Sequence, residues 1–134
     1  MDVKELIEWT EHYFKHKDIF EQKLQNINKK GNSIIFEYKD RKDNAIVYLD
    51  LNEQAIQDIN NIDEEFTKIF IVCGRLNKNI NFLITNWKQL LIKKLTMIFV
   101  DTSLNTRVLL KPYVHNMVCD PDKLDSGIKC LFNN

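Results

Sequence analysis

The chain is poor in cysteine, glycine and proline, with three, three and two of them among 134 residues. The cysteines, Cys73, Cys119 and Cys130, are odd in number and widely spaced. This spacing fits neither a disulfide framework nor a CxxC metal-binding knuckle. The sequence therefore predicts free thiols and a reducing, cytoplasmic location. Few glycines and prolines also leave no stretch that resembles a linker or a low-complexity tract.

The chain also lacks an excess charge of either sign. Nineteen basic and nineteen acidic residues cancel, so no molecule-wide field draws the protein onto nucleic acid or anionic lipid. Only three of the basic residues are arginine, the side chain best suited to bidentate contacts with phosphate and guanine. Nucleic acid is thus a candidate partner without support from net charge. The zero net charge lowers repulsion between copies, which permits self-association or binding to another protein.

Long apolar runs are absent as well. No run approaches the roughly 18 residues needed to span a bilayer, and Val3 to Ile7 is too short and too charged for a signal peptide. We therefore expect neither membrane insertion nor export. A chain of this length with 44% hydrophobic residues is expected to fold as one domain, residues 1–134, around a packed core.

Hydrophobic spacing predicts the elements of the first half. Apolar residues three and four positions apart from Val3 to Asn28 predict one long amphipathic helix. From Asn32 to Asp50 two strand-like runs flank the polar segment Asp40 to Asn44, which predicts a β-hairpin. Residues Asn52 to Ile62 predict a short helix capped by Asn52.

The middle of the chain predicts a parallel strand pair. The run Phe66 to Cys73 is almost continuously apolar, as in a central strand buried on both faces. Residues Leu76 to Ile92 return to helical spacing, and Leu95 to Val100 is again strand-like. A strand, a helix and a strand in succession indicate parallel strands joined by a crossover.

The last third is less regular. Val108 to Leu110 predicts a further strand, and Tyr113 to Cys119 its continuation as an edge strand after Pro112. Asp120 and Pro121 mark the start of a final helix. The predicted fold is α/β, a single mixed β-sheet of four to six strands flanked by helices, in the order α-β-β-α-β-α-β-(β)-α.

Four residues are candidate metal ligands. Asp50 and Asp101 each follow an apolar strand, and carboxyl ends of parallel strands share the sheet edge where open α/β folds bind ligands. Two carboxylates there could hold a hard cation such as Mg²⁺ or Mn²⁺. Glu37 is a candidate second acid, and His115 could face Asp101. The alternative is that each aspartate caps a turn.

Two further groups invite a functional interpretation. Cys73, Gly74 and Arg75 form a strand-to-helix turn that could approach an anion, although Cys73 also suits a buried core position. His12 and His16 lie one helical turn apart, a spacing that lets two imidazoles share a metal. An exposed histidine pair without a third ligand is more often simply solvated.

The order of elements resembles that of a known family. Asp50 ends the second predicted strand, and a Glu-x-Lys triplet begins at Glu37. With Asn52 to Ile62 counted as an insertion, residues 3–101 resemble the core of the restriction-endonuclease-like nucleases. That resemblance implies a metal-dependent phosphodiesterase, with an aspartate on the second strand and a Glu-x-Lys on the third that together hold Mg²⁺. Here the triplet falls on the first predicted strand, and the third has none.

Three functions follow from these patterns. The leading hypothesis is a non-catalytic binding or interaction module, because no complete acid/base, nucleophile or metal constellation is present. The first alternative is a divalent-metal phosphodiesterase that uses Asp50 with Glu37 or Asp101. The second is a small-molecule enzyme or ligand-binding domain at the carboxyl edge of the sheet, around Asp101 and His115. Convergence of the four residues on one concave surface would favour an enzyme, and scatter would favour the module.

The cysteine pattern yields a direct prediction. All three thiols of the native protein should react with a thiol reagent after denaturation without reductant, because none is expected to be in a disulfide. A count below three would contradict the reducing location.

Overall fold

A computed structural model of the chain describes residues 1–133. It contains one mixed six-stranded sheet in the spatial order β1-β2-β3-β4-β5-β6, which confirms the predicted α/β class. The strands are Leu24–Lys30 (β1), Ser33–Tyr38 (β2), Lys42–Tyr48 (β3), Lys68–Gly74 (β4), Leu95–Asp101 (β5) and Thr106–Leu110 (β6). The α-helices are Val3–Lys17 (α1), Glu53–Asn60 (α2), Asn77–Thr85 (α3), Pro112–Val118 (α4) and Leu124–Phe132 (α5), with 3₁₀ turns at Trp87–Leu90 and Pro121–Lys123.

The pairing of the strands gives the sheet two distinct edges. β1, β2 and β3 form an antiparallel meander, β3, β4 and β5 are parallel, and β6 returns antiparallel to β5. The predicted hairpin and the predicted parallel pair are thus both confirmed. The carboxyl ends of the three parallel strands lie on one side of the sheet, which we call its carboxyl edge. Their amino ends lie beside the β2–β3 turn on the opposite side, the amino edge.

The predicted long helix was wrong beyond Lys17. The Asp18 carboxylate accepts hydrogen bonds from the backbone N–H groups of Lys23 and Leu24, at 3.0 and 2.8 Å, and so reverses the chain. Leu24 and Ile27, which had completed the predicted helical stripe, lie in β1. Gly31, at φ +62°, then makes the turn into β2, a conformation that glycine adopts without steric cost.

The predicted edge strand from Tyr113 to Cys119 was also wrong, because these residues belong to or directly follow α4. Pro112 occupies the first turn of this helix, where its fixed φ suits the helix and its missing N–H is not needed. The turn predicted from Asp40 to Asn44 is shorter than expected, since β3 already begins at Lys42. The cap predicted at Asn52 is confirmed, with its side chain accepting from the N–H of Gln54.

Unequal helical layers cover the two faces of the sheet. On one face, α1 places Phe14 against Phe36 and Phe70, with ring centroids 4.6 and 4.8 Å apart. Helices α2, α3 and α5 cover the other face, where the core includes Ile71, Leu83, Met97, Phe99 and Ile128. Within residues 1–133, no helix is long and apolar enough to cross a bilayer.

Phe14 provides a test of this packing. Phe14→Ala is expected to lower the free energy of unfolding by about 3 to 5 kcal/mol, because the ring is only 2% exposed and its removal leaves a cavity. Phe20, at 97% exposure, supplies the matched control, and Phe20→Ala should change stability by less than about 0.5 kcal/mol. Chemical denaturation measures both. A Phe14→Ala effect well under about 1 kcal/mol would contradict the packing.

Candidate functional site

The two strand-end aspartates do not form a shared site. Asp50 is exposed and pairs with Lys78, whose Nζ lies 2.7 Å from its carboxylate. Asp101 caps the β5–β6 turn, accepting from the N–H and hydroxyl of Ser103 at 3.0 and 2.6 Å. The Ser103 hydroxyl is the main cause of the lowered pKa of Asp101. Strand β4 separates β3, which ends two residues before Asp50, from β5, which ends at Asp101, so these two strands are about 10 Å apart.

Glu37 and His115 lie elsewhere. Glu37 pairs with Lys42, the first residue of β3, and so occupies the edge opposite to Asp50 and Asp101. His115 belongs to α4, where its ring packs edge-on against Trp87 at 5.6 Å. Among residues 1–133, no three histidine, cysteine, aspartate or glutamate side chains are placed to hold a metal ion. The four predicted ligands are scattered.

The positions of the other candidate residues, Cys73, Gly74, His12 and His16, need no ligand to explain them. Cys73 is fully buried, and burial raises the pKa of its thiol well above the ordinary value. A Cβ atom at Gly74 would lie 3.3 Å from the carbonyl oxygen of Leu49, so the glycine permits close backbone packing. His12 and His16 are exposed along α1.

A different carboxylate, Asp43, occupies the most unusual position in the sheet. It is the second residue of β3, it points toward α1, and it is 1% exposed. Its cross-strand neighbours are Phe36 on β2 and Lys68 on β4. It lies in a hollow of about 200 Å³ at the amino edge of the parallel strands, which we call the Asp43 hollow. The hollow is lined by Phe14, Lys17, Asp18, Glu21, Tyr38, Arg41, Asp43, Lys68 and Phe70.

Only half of the Asp43 carboxylate is hydrogen bonded. Its Oδ2 accepts from Nε of Arg41 at 3.2 Å. Its Oδ1 is buried and has no hydrogen-bond partner in the part of the chain that the structure describes. A buried polar atom without a partner costs about 1 to 3 kcal/mol, and more when charged. Asp43 therefore presents an acceptor for which the surrounding side chains supply no donor.

Three of the residues that line the Asp43 hollow are cations. The Arg41 guanidinium lies over the Tyr38 ring, 4.1 Å from its centroid. Lys17, in the last turn of α1, has its pKa lowered by burial and by the nearby charge of Arg41. Lys68 lies beside Asp43 on the neighbouring strand. The lining of the hollow thus carries three cations, Lys17, Arg41 and Lys68, and three carboxylates, Asp18, Glu21 and Asp43.

Asn79 is a second buried polar residue that the sequence did not single out, and it differs from Asp43. Its amide donates to the carbonyl oxygens of Leu49 and Gly74, at 2.9 and 2.7 Å, and its Oδ1 accepts from the N–H of Leu51 at 2.8 Å. These bonds connect α3 to the last residue of β4 and to the segment that follows β3. Because the amide is satisfied on both sides, its role is structural.

One signal for Asp43 was present in the sequence. Asp43, Ala45 and Val47 alternate along β3 and lie on the same face, which is the period of a strand. Because the sequence neighbours of Asp43 are also polar, the segment Asp40 to Asn44 was predicted to be a turn, and Asp43 was included in it.

Tyr38 gives a pH prediction. Burial raises the pKa of Tyr38 from 10.0 to about 12. A group with a higher pKa in the folded state contributes full stability below its unfolded pKa, and this contribution disappears as the pH rises through the folded value. The free energy of unfolding should therefore fall between pH 10 and about 12, and less steeply in Tyr38→Phe.

Urea denaturation across this pH range measures the effect. Tyr113→Phe, on an exposed side chain, is the control and should retain the wild-type slope. Equal slopes for the wild type and Tyr38→Phe would contradict the assigned burial of Tyr38.

Comparison with protein-family models, with curated proteins and with solved structures finds no match to this chain.

Proposed function

We propose that the chain is a non-catalytic binding module whose Asp43 hollow receives a small anion that also carries a hydrogen-bond donor. The observation that carries this proposal is the buried, unpartnered Oδ1 of Asp43, in a residue that lines one hollow with the cations Lys17, Arg41 and Lys68. The scatter of Asp50, Asp101, Glu37 and His115 supports a binding module over an enzyme built on those residues.

Lys17 and Arg41 are the residues that favour an anion as the ligand. Lys17 and Arg41 are close enough for the charge of Arg41 to lower the pKa of Lys17, so the two cations repel each other. An anion placed between them removes this repulsion and gains charge-assisted hydrogen bonds.

The Asp43 carboxylate explains why the ligand also needs a hydrogen-bond donor. An anion alone would be repelled by the Asp43 carboxylate, whereas a hydroxyl or ammonium group beside the negative charge can donate to Oδ1. A hollow of about 200 Å³ corresponds to about seven water molecules at roughly 30 Å³ each. Ligands of that size include hydroxy acids, amino acids and the phosphate esters of small alcohols.

A divalent-metal phosphodiesterase is the second candidate, on the order of elements alone. From α1 to β4 the chain runs helix, three strands, helix, strand, and in this order α2 is the second helix and not an insertion. Of its candidate ligands for Mg²⁺ or Mn²⁺, Asp50 follows β3 and Asp101 ends β5, whereas Glu37 lies on β2 at the opposite edge of the sheet. A site around Asp101 and His115 ranks third, because these residues line different hollows.

Three related probes test the proposal: ethyl phosphate, 2-hydroxyethyl phosphate and O-phosphoethanolamine. The first two carry the same charge and differ by one hydroxyl group, while the third carries an ammonium group. A ligand that binds the native state stabilises it by mass action. We therefore expect the rise in the melting temperature of the wild type to be smallest with ethyl phosphate, larger with 2-hydroxyethyl phosphate and largest with O-phosphoethanolamine. Asp43→Asn should remove the advantage of the two donor-bearing probes.

Asp50→Asn is the matched control, since Asp50 is an exposed carboxylate at the opposite edge of the sheet. It should respond to the three probes as the wild type does. Equal responses of the wild type to ethyl and 2-hydroxyethyl phosphate, or an unchanged order in Asp43→Asn, would contradict the proposal. A rise with Mg²⁺ alone that Asp50→Asn abolishes would support the phosphodiesterase instead.

A further inference from the structure

Helix α4 exposes an apolar ridge to solvent. Val114, Met117 and Val118, which we call the α4 ridge, are 51, 70 and 78% exposed. None of the seven residues of α4 is aspartate, glutamate, lysine or arginine. Single exposed apolar residues are ordinary, but neighbouring ones on a single helix mark a surface that contacts something apolar.

An apolar cleft lies beside this ridge. It has a volume of about 840 Å³ and is bounded by the 3₁₀ turn Trp87–Leu90, by α4 and by the start of α5. Trp87 is fixed at its wall, because its Nε1 donates to Oδ1 of Asn116 at 3.1 Å. The apolar lining consists of Ile84, Trp87, Leu91, Pro121 and Leu124. The same short helix therefore provides a wall of the cleft and the ridge next to it.

We infer that two copies of this chain associate about a twofold axis, with the α4 ridge of each copy against the cleft of the other. A twofold contact requires one self-complementary surface, and a protrusion adjacent to a depression meets this requirement. A small apolar molecule would fill the cleft and leave the ridge in water, whereas a second copy covers both.

The charges of this surface suit a second copy. The ridge is uncharged, so its insertion places no unpaired charge in the cleft. The rim of the cleft carries a base and an acid, Lys88 and Asp120, so two facing rims present both signs of charge to each other. The zero net charge of the chain adds no overall repulsion. This surface lies across the sheet from the Asp43 hollow, so the inference does not depend on the proposed ligand.

Sedimentation of the full chain over a dilution series tests the inference. The wild type should shift from dimer to monomer on dilution, and Met117→Asp should weaken the dimer roughly tenfold or more. Leu104→Asp is the control, since Leu104 is 71% exposed in the β5–β6 turn, away from the ridge. A wild type that is monomeric throughout, including one that binds an apolar dye in the cleft, would overturn the inference.

Thiol labelling locates the interface independently. Cys119 lines the cleft, whereas Cys130 is exposed outside it. Under dimer conditions Cys119 should react slowly and become faster on dilution or in Met117→Asp, while the rate at Cys130 should stay constant. Val118→Lys provides a second ridge variant if Met117→Asp fails to fold. A dimer in which the rate at Cys119 does not change on dilution would overturn the inference.

Discussion

The contact of Phe14 with Phe36 and Phe70 holds α1, the only helix on its face of the sheet within the described residues, in place. A helix with its side chains is about 10 to 12 Å wide, whereas six strands about 4.8 Å apart span about 24 Å. One helix therefore covers only part of its face of the sheet, whereas three helices cover the opposite face. The Asp43 hollow lies at the carboxyl end of α1, and it exists because this layer is incomplete.

Two buried polar residues show how the fold separates structure from function. Asn79 uses both its donors and its acceptor within the chain, and its neighbours need no ligand. Asp43 has one bonded and one unbonded oxygen, and it lines a hollow that also contains three cations. Evolution toward stability alone would remove such a carboxylate or complete its hydrogen bonds. Its retention is explained if a ligand supplies the missing donor.

Sequence patterns predicted the parts of this fold that depend on local periodicity: the hairpin, the parallel strands and the cap at Asn52. They did not predict β1, because Leu24 and Ile27, three residues apart, also continue a helical stripe. Asp43 was missed because a polar residue at the start of a strand resembles a turn. The expected meeting of Asp50 and Asp101 depended on strand order, which local patterns do not encode, and β4 lies between them.

The central claim is that the Asp43 carboxylate serves binding and not stability. Urea denaturation of Asp43→Asn without added ligand tests it most directly, because the amide keeps the shape of the side chain and removes its charge. If the carboxylate serves binding, the free energy of unfolding should stay unchanged or rise, since the buried oxygen that lacks a hydrogen-bond donor no longer carries a negative charge. A loss of about 3 kcal/mol or more would show that the ion pair with Arg41 is structural, and would contradict the account.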